Sequence, residues 1–218
     1  MGRQARAEAT RRRIMDAAVE LFIDLGYGEA GLAEILARAD VTKGAFYYHF
    51  ESKEAVAAAI IDETYVKIAG AATTIIESSA PAVENIVRAT FVVADLMASD
   101  RTVQAGKMLA QSLTQVSDRG PKAFLDWTAL FVGQVRQAVS QGDLCDDLDP
   151  EDVGETVWAT VLGTHVVSDA VGDDVFARLA RSWRVLLGGI VRAESLPYFR
   201  DFVARTYQAY AHAPLTAQ

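Results

Sequence analysis

The chain has 218 residues, of which 51% are hydrophobic and 23% charged, a balance typical of a globular protein rather than a disordered or fibrous one. Its apolar runs are all shorter than the ~20 residues that a membrane helix needs, and the charged start lacks the apolar core of a secretion signal. We therefore expect a cytoplasmic protein with no membrane partner; the lone Cys145 excludes an internal disulfide framework.

The net charge of −8 is unevenly distributed along the chain. Residues 1–54, called the head below, hold eight Lys/Arg and nine Asp/Glu, whereas residues 55–218 hold thirteen and twenty. Five of the eight head cations lie before or within the first turns of the first predicted helix: Arg3, Arg6, Arg11, Arg12 and Arg13. A basic arm of this kind can neutralise DNA phosphates, and a merely solvated terminus is the alternative.

Apolar residues recur at helical spacing almost throughout, which predicts an all-α protein of about ten helices. The first helix covers residues 14–25 and ends at Gly26, which can adopt a left-handed conformation. Two short helices follow at 32–39 and 42–50, and a long helix runs from Ser52 toward residue 78.

Turn residues then divide the rest of the chain into six further helices. The breaks lie at 78–81, 99–101, 117–121, 142–150, 172–174 and 194–197. We expect two domains, a small one over residues 1–52 and a larger helical one over residues 53–218.

The two short helices have the layout of a helix-turn-helix unit, whose second helix lies in the DNA major groove. That second helix reads TKGAFYYHF, and Thr42 can cap it. Its small residues, Gly44 and Ala45, let the backbone approach the groove, while lysine and tyrosine side chains reach bases and phosphates.

The runs AAVELFIDLGY and LAEILARADVTKGAFYYHFESKEAV resemble the TetR family of bacterial regulators. The resemblance implies that Lys43 contacts bases while Phe46 and Phe50 pack inside. With the arm and the cap included, the predicted DNA-binding residues are Arg11, Thr42, Lys43, Gly44, Ala45, Tyr47, Tyr48, His49 and Lys53. Core packing is the alternative for both tyrosines.

Two positions depart from the family pattern. Ala30 and Gly31 stand where family members commonly have Ser or Thr, which weakens a helix cap and a phosphate contact. Asp40 replaces the usual glycine of the turn, and aspartate tolerates the left-handed region better than most residues. We therefore expect the turn to survive.

More narrowly, RQARAEATRRRI, FLDWTALF and GTHVVSD resemble the γ-butyrolactone-receptor group, which senses small diffusible signals in antibiotic-producing actinomycetes. In that group the tryptophan matching Trp127 forms a wall of the ligand pocket, and ordinary core filling is the alternative. Helices between residues 81 and 141 carry adaptable apolar side chains that suit a neutral, lactone-like effector. The predicted ligand-binding residues are Trp127, Thr64, Phe91, Met108, Phe131, Trp158 and Val161.

Two apolar stripes near the end of the chain predict a homodimer with a four-helix interface. The predicted interface residues are Val157, Val161, Thr164, Phe176, Leu179, Trp183 and Leu186. The same two-fold symmetry would place two recognition helices on a palindromic operator, a double-stranded DNA site. The alternative is that both stripes face the protomer's own core.

Enzyme classes fit the sequence poorly. Residues 26–31 match G-x-G-x-x-G, but a helix rather than a strand precedes them, so a dinucleotide site is rejected. The three histidines lie far apart and G-x-S-x-G is missing, so we expect no catalytic residues, no metal and no cofactor. The function predicted is a ligand-released repressor; a TetR-like regulator that answers to a different ligand, or to none, is the alternative.

Overall fold

The computed structural model describes residues 2–112 and 119–211. These residues form ten helices: α1 (Gly2–Glu29), α2 (Leu32–Ala39), α3 (Lys43–His49), α4 (Lys53–Ile76), α5 (Ala82–Ser99), α6 (Arg101–Ser112), α7 (Arg119–Ser140), α8 (Pro150–Val171), α9 (Val175–Ile190) and α10 (Leu196–Ala211). The all-α prediction is confirmed. Over the same two ranges, no helix has the length and apolar character required to span a bilayer.

The end of α1 is set by Gly26. Its backbone has φ 82° and ψ 158°, so the helix breaks there before a last short turn to Glu29. A side chain at this backbone position would be strained, because only glycine adopts such angles readily. The predicted left-handed conformation is wrong, because φ is positive but ψ lies far outside that region.

The turn between α2 and α3 depends on two polar residues. Asp40 takes the left-handed conformation, with φ 50° and ψ 54°, as the sequence predicted. Thr42 then caps α3, because its side-chain oxygen accepts the backbone N–H of Ala45 at 3.2 Å. These two residues fix the direction in which α3 leaves the turn.

The described residues fall into two compact units: residues 2–68, 97–112 and 119–122 form the first, and residues 69–96 and 123–211 the second. The first unit's core joins α1 to α4 with Ala105 and Leu109 of α6. A helix distant in sequence thus packs with the head. The predicted domain boundary at residue 52 does not coincide with the boundary between these two units, and it stays a prediction about which residues carry which function.

Within the first unit, α4 and α6 touch at Gly106. A Cβ atom on Gly106 would lie 2.7 Å from the Cβ of Thr64 and closer still to its hydroxyl oxygen. The Thr64 hydroxyl donates a hydrogen bond to the carbonyl oxygen of Thr102 at 3.0 Å. Glycine therefore permits an approach that other residues would prevent.

The second unit has a buried aromatic core between α5, α9 and α10. The indole N–H of Trp183 donates to the hydroxyl of Thr90 at 2.8 Å, and the tryptophan is 1% exposed. Phe176, Phe91 and Tyr210 form an aromatic cluster: the ring centroid of Phe176 lies 6.4 Å from that of Phe91 and 5.0 Å from that of Tyr210, and the last two lie 5.5 Å apart. These contacts tie the three helices together.

Candidate nucleic-acid interface

Four neighbouring residues of α3 form an exposed surface, called the recognition face below: Lys43, Gly44, Tyr47 and Tyr48. The two tyrosines are 49% and 72% exposed, which is unusual for large aromatic side chains. The alternative that they pack in the core is wrong. An added Cβ at Gly44 would meet no described atom within 4 Å, so the backbone there is open to a partner.

The opposite side of α3 is anchored by two phenylalanines. Phe46 and Phe50 are both buried, as the family resemblance implied, and their ring centroids lie 6.1 Å apart. Phe46 also meets Tyr47 edge to face, with centroids 5.5 Å apart. The buried rings hold this short helix in place while the recognition face stays exposed to solvent.

Other predicted DNA-contacting residues lie around this face. The ammonium of Lys43 is 6.0 Å from the ring centre of Tyr47, a loose contact that leaves the charge accessible. His49 is half-buried, with its ring edge to face against Tyr48 at 4.9 Å. Thr42 is exposed and Ala45 partly exposed, beside the start of the helix.

Lys53 has internal hydrogen-bond partners that the sequence did not predict, and its contact with DNA stays a prediction. Its ammonium donates to the carbonyl oxygens of Tyr27 and Ala30, at 2.8 and 2.9 Å, and lies 4.4 Å from the ring centre of Tyr27. An ammonium has three N–H donors, so only one remains for a phosphate. Lys53 therefore ties α4 to the end of α1, a partner that its charge alone did not reveal.

The hydroxyl of Tyr27 belongs to the same cluster. It donates a hydrogen bond to Glu54 at 3.0 Å. Burial, reinforced by this carboxylate, raises the pKa of Tyr27 to about 12. The tyrosine therefore stays neutral and keeps its hydrogen bond over the physiological range.

The arginines of the basic arm belong to α1, and they differ in their contacts with the rest of the protein. The guanidinium of Arg11 lies over the ring of Phe50 at 5.1 Å. Arg12 pairs with Glu63 of α4 at 2.6 Å and with Asp16 at 2.9 Å, and the hydrogen bond that its guanidinium donates to Glu63 raises the pKa of Arg12. Arg13 is exposed. The three arginines are therefore not equivalent in their availability to DNA.

At the start of α2, where Gly31 replaces the usual Ser or Thr, one hydrogen bond of an N-terminal cap is still present. The side chain of Glu34 accepts the backbone N–H of Gly31 at 2.7 Å. This is one of the two bonds of a capping box; the other requires a hydroxyl or carboxylate that Gly31 does not have. The bond from Gly31 to Glu34 therefore replaces part of the cap that is lost because Gly31 stands in place of Ser or Thr.

Two predicted ligand-binding residues belong to the first unit. Thr64 is buried and its hydroxyl is bonded to Thr102, as described above. Met108 is partly buried and packs against the core of the head. Both side chains therefore have structural roles here, because α6 returns to α1, a long-range contact that the helical pattern did not indicate.

The other predicted ligand-binding residues belong to the second unit. Phe131, on α7, is buried, as are Trp158 and Val161, one turn apart on α8. Phe91 is buried in the aromatic cluster of α5, α9 and α10. Trp127 lies on α7, but its side chain is outside the described residues. Ligand contact stays a prediction for all of these residues.

Most of the predicted dimer residues lie inside the protomer. The side chains with almost no exposed area are Val157, Val161, Thr164, Leu179 and Trp183. Phe176 and Leu186 are half-buried, Phe176 in the aromatic cluster. The stripes on α8 and α9 thus face the protomer's own core, the alternative named above, because each helix has a partner within the same chain. The five buried side chains are therefore not available as a dimer surface, whereas a role for Leu186 and Phe176 at an interface stays a prediction.

The exposed apolar residues of α8 and α9 were missed: Val166, Val167, Val171 and Val185. Val185 is 78% exposed, which makes it conspicuous among β-branched residues. The sequence carried no clear signal for them, because consecutive residues of α8 can both be buried, as Val157 and Trp158 are. On the same two helices, Leu186 and Ile190 line a small hollow with Val153 and Val157. We call the four exposed valines the valine face.

Comparison with known proteins agrees with this architecture. Residues 14–60 match the family described as bacterial regulatory proteins, tetR family, and residues 80–192 match the tetracyclin repressor-like C-terminal domain. The A-factor receptor protein of Streptomyces griseus is 34% identical over 192 residues, which cover 87% of this chain and 67% of that protein. The repressor BepR of Brucella suis is 29% identical over 171 residues, covering 74% and 82%.

Solved structures extend the similarity over nearly the whole chain. A γ-butyrolactone receptor described as ArpA-like has a TM-score of 0.80 and 33% identity, covering 94% of this chain and 99% of that one. CprB from Streptomyces coelicolor in complex with its operator has a TM-score of 0.72 and 32% identity, with the same coverage. The chain therefore belongs to the TetR family of bacterial transcriptional regulators, as a DNA-binding repressor related to the γ-butyrolactone receptors.

Proposed function

We propose that the protein is a homodimeric repressor that leaves a palindromic operator when a small, largely apolar effector of the γ-butyrolactone type binds to its C-terminal domain. The recognition face carries the DNA-binding part of this proposal. An accessible lysine, an open glycine and two exposed tyrosines lie on one side of a helix whose other side is anchored in the core. Such a face reads the major groove through the lysine and contacts phosphates through the tyrosines.

Two-fold symmetry is supported by the valine face. Exposed apolar side chains on two neighbouring helices favour association with a second copy, because burying them removes apolar area from water. The hollow between Val153 and Leu186 offers a recess for a side chain of the partner. We therefore assign the interface to the exposed surface of α8 and α9, not to their buried stripes.

The effector class is supported by two of the relatives, which are described as γ-butyrolactone receptors, and by the buried apolar residues of α7 and α8. The resemblance to that group makes Trp127 the leading candidate for a pocket wall. Helix α4 begins in the first unit and ends in the second, so it supplies a covalent route between effector and head. Effector binding would act by favouring a spacing of the heads that no longer fits the operator.

Binding to DNA is tested with a mobility-shift assay on the region upstream of the protein's own gene. Lys43→Ala should weaken operator binding by about tenfold or more, since a good base contact contributes ~1–3 kcal/mol, while the melting temperature stays unchanged. Lys107→Ala, on α6, removes the same charge elsewhere and should leave operator binding near that of the parent. Equal affinities of Lys43→Ala and parent would refute the assignment.

Release is tested by adding γ-butyrolactones with alkyl chains of graded length to the same complex. The parent should leave the operator, whereas Trp127→Ala should bind DNA but fail to respond. If Trp127 packs in the core instead of lining a pocket, its replacement by alanine should cost ~3–5 kcal/mol of stability and lower the melting temperature and DNA binding together. A parent that never responds would favour the alternative of a regulator with a different effector or none.

A further inference from the structure

A groove on the second unit, separate from the recognition and valine faces, has the chemistry of a small-molecule site. It has a volume of about 370 Å³, the lower end of the range for ligand pockets, and lies between the end of α4, α5 and α10. Ile75, Val92 and Ala209 supply an apolar lining. The groove is open to solvent on one side, so a ligand can enter without opening the core.

Two arginines define the polar end of this groove. The guanidinium carbons of Arg88, on α5, and Arg205, on α10, lie 5.1 and 5.9 Å from the ring centre of Phe202. Cations from two different helices thus converge on one aromatic ring that lines the groove. Stacking on a ring reduces the freedom of both side chains and keeps them directed at the groove.

Each arginine also has a carboxylate partner, which fixes it without saturating it. Arg88 donates to Glu84 at 2.7 Å, and Glu84 is a buried residue that also accepts the hydroxyl of Tyr198. Arg205 pairs with Asp201 on its own helix. A guanidinium has five N–H donors, so donors remain on both arginines for a further anion.

We propose that this groove binds an amphipathic monocarboxylate, whose anionic group lies between Arg88 and Arg205 while its apolar body lies along Phe202 and the apolar lining. A neutral ligand would leave the guanidinium donors to water, whereas a carboxylate is bound by hydrogen bonds strengthened by charge. Tyr210 also lines the groove, whereas the hydroxyl of Thr206, another lining residue, already donates to the carbonyl oxygen of Phe202 at 2.9 Å. None of the predicted effector-binding residues lines the groove, although Phe91, one of them, contacts the ring of Tyr210 at 5.5 Å.

The test uses 4-phenylbutyrate as probe and its uncharged amide as the matched ligand, titrated into the full chain by calorimetry. The acid should bind with a dissociation constant of about 1 mM or below, and the amide about tenfold more weakly. Arg88→Gln and Arg205→Gln should each weaken the acid about tenfold and leave the amide unchanged. Arg200→Gln, an exposed arginine of α10 outside the groove lining, is the control and should bind like the parent.

A second variant tests the location independently of charge. Ala209 is exposed, so Ala209→Phe should fold normally, fill the groove and abolish binding while both arginines remain. Melting temperatures of all variants identify any that are misfolded. Equal affinity for acid and amide, an equal loss in Arg200→Gln, unchanged binding in Ala209→Phe, or the lack of saturable binding would each overturn the proposal.

Discussion

Replacing Gly106 with alanine is expected to destabilise the first unit, because the space that a Cβ needs is already occupied by Thr64. The new atom would lie 2.7 Å from the Cβ of Thr64, a separation that real Cβ atoms do not show. Either Thr64 rotates and loses its bond to Thr102, or α4 and α6 move apart. Both responses weaken the packing of α6 in the head.

The size of the effect follows from three contributions. Overpacking a closely packed contact costs ~1–3 kcal/mol, and loss of a buried hydrogen bond costs ~1 kcal/mol. The higher helix propensity of alanine offsets about 1 kcal/mol of this. The net loss is ~1–3 kcal/mol, and since ~1 kcal/mol shifts the melting temperature by about 2–4 °C in a chain of this size, we expect a clear decrease.

Thermal unfolding followed by circular dichroism measures this difference. Gly133→Ala, on α7, is the matched control: a Cβ there would meet no described atom within 4 Å, so the substitution should stabilise by about 1 kcal/mol. Thr64→Ala combined with Gly106→Ala should cost less than the sum of the two single variants, since the closest clash is removed. A Gly106→Ala protein that melts at or above the parent temperature would refute the close approach of α4 and α6.

Three further substitutions each test one property: backbone strain at Gly26, DNA recognition at Gly44, and the effect of a charge on stability at Asp100. Gly26→Ala should cost ~1–3 kcal/mol in urea unfolding although no described atom opposes its Cβ, because φ is 82° there. Gly44→Ala should leave the melting temperature unchanged or slightly raised and yet weaken operator binding in mobility shifts, because the new methyl group lies on the recognition face. Asp100→Asn should destabilise at neutral pH: burial raises the pKa of Asp100, but hydrogen bonds from Lys67 and the backbone of Val103 outweigh this and lower it. That stabilisation exists above the unfolded pKa, near ~4, and disappears as pH falls through the lower folded value, where variant and parent should converge.

The parts of the fold that the sequence predicted well depend on local signals. Helical periodicity, turn residues and caps act over a few positions, and the bounds of α2, the cap at Thr42 and the left-handed Asp40 were all predictable from neighbouring residues. The break at Gly26 belongs to the same class. Each of these features needs no knowledge of which helix packs against which.

The residue roles that the sequence did not predict depend instead on contacts between distant parts of the chain. A buried stripe on α8 reads the same whether its partner is α9 of the same chain or a second copy, so Val161 and Trp183 were assigned to the wrong surface. The family resemblance placed Lys53 near DNA, a role that stays a prediction, but it did not indicate the carbonyl oxygens more than twenty residues earlier that accept two of its hydrogen bonds. Thr64 likewise has a partner on α6. Contacts between residues far apart in the chain decide these roles, and the spacing of apolar residues within one helix does not predict such contacts.

Stability and recognition are carried by different side chains of the same short helix. Phe46 and Phe50 hold α3 against the core, and Arg11 covers one of their rings. Tyr47 and Tyr48 contribute little to that core, and leaving their rings in water has an unfavourable hydrophobic cost that binding to DNA would recover. Because the anchoring residues do not overlap with the exposed ones, substitutions on the recognition face can change operator preference with little effect on folding. We therefore expect operator affinity and melting temperature to vary independently across variants of that face, and to fall together across variants of the two phenylalanines.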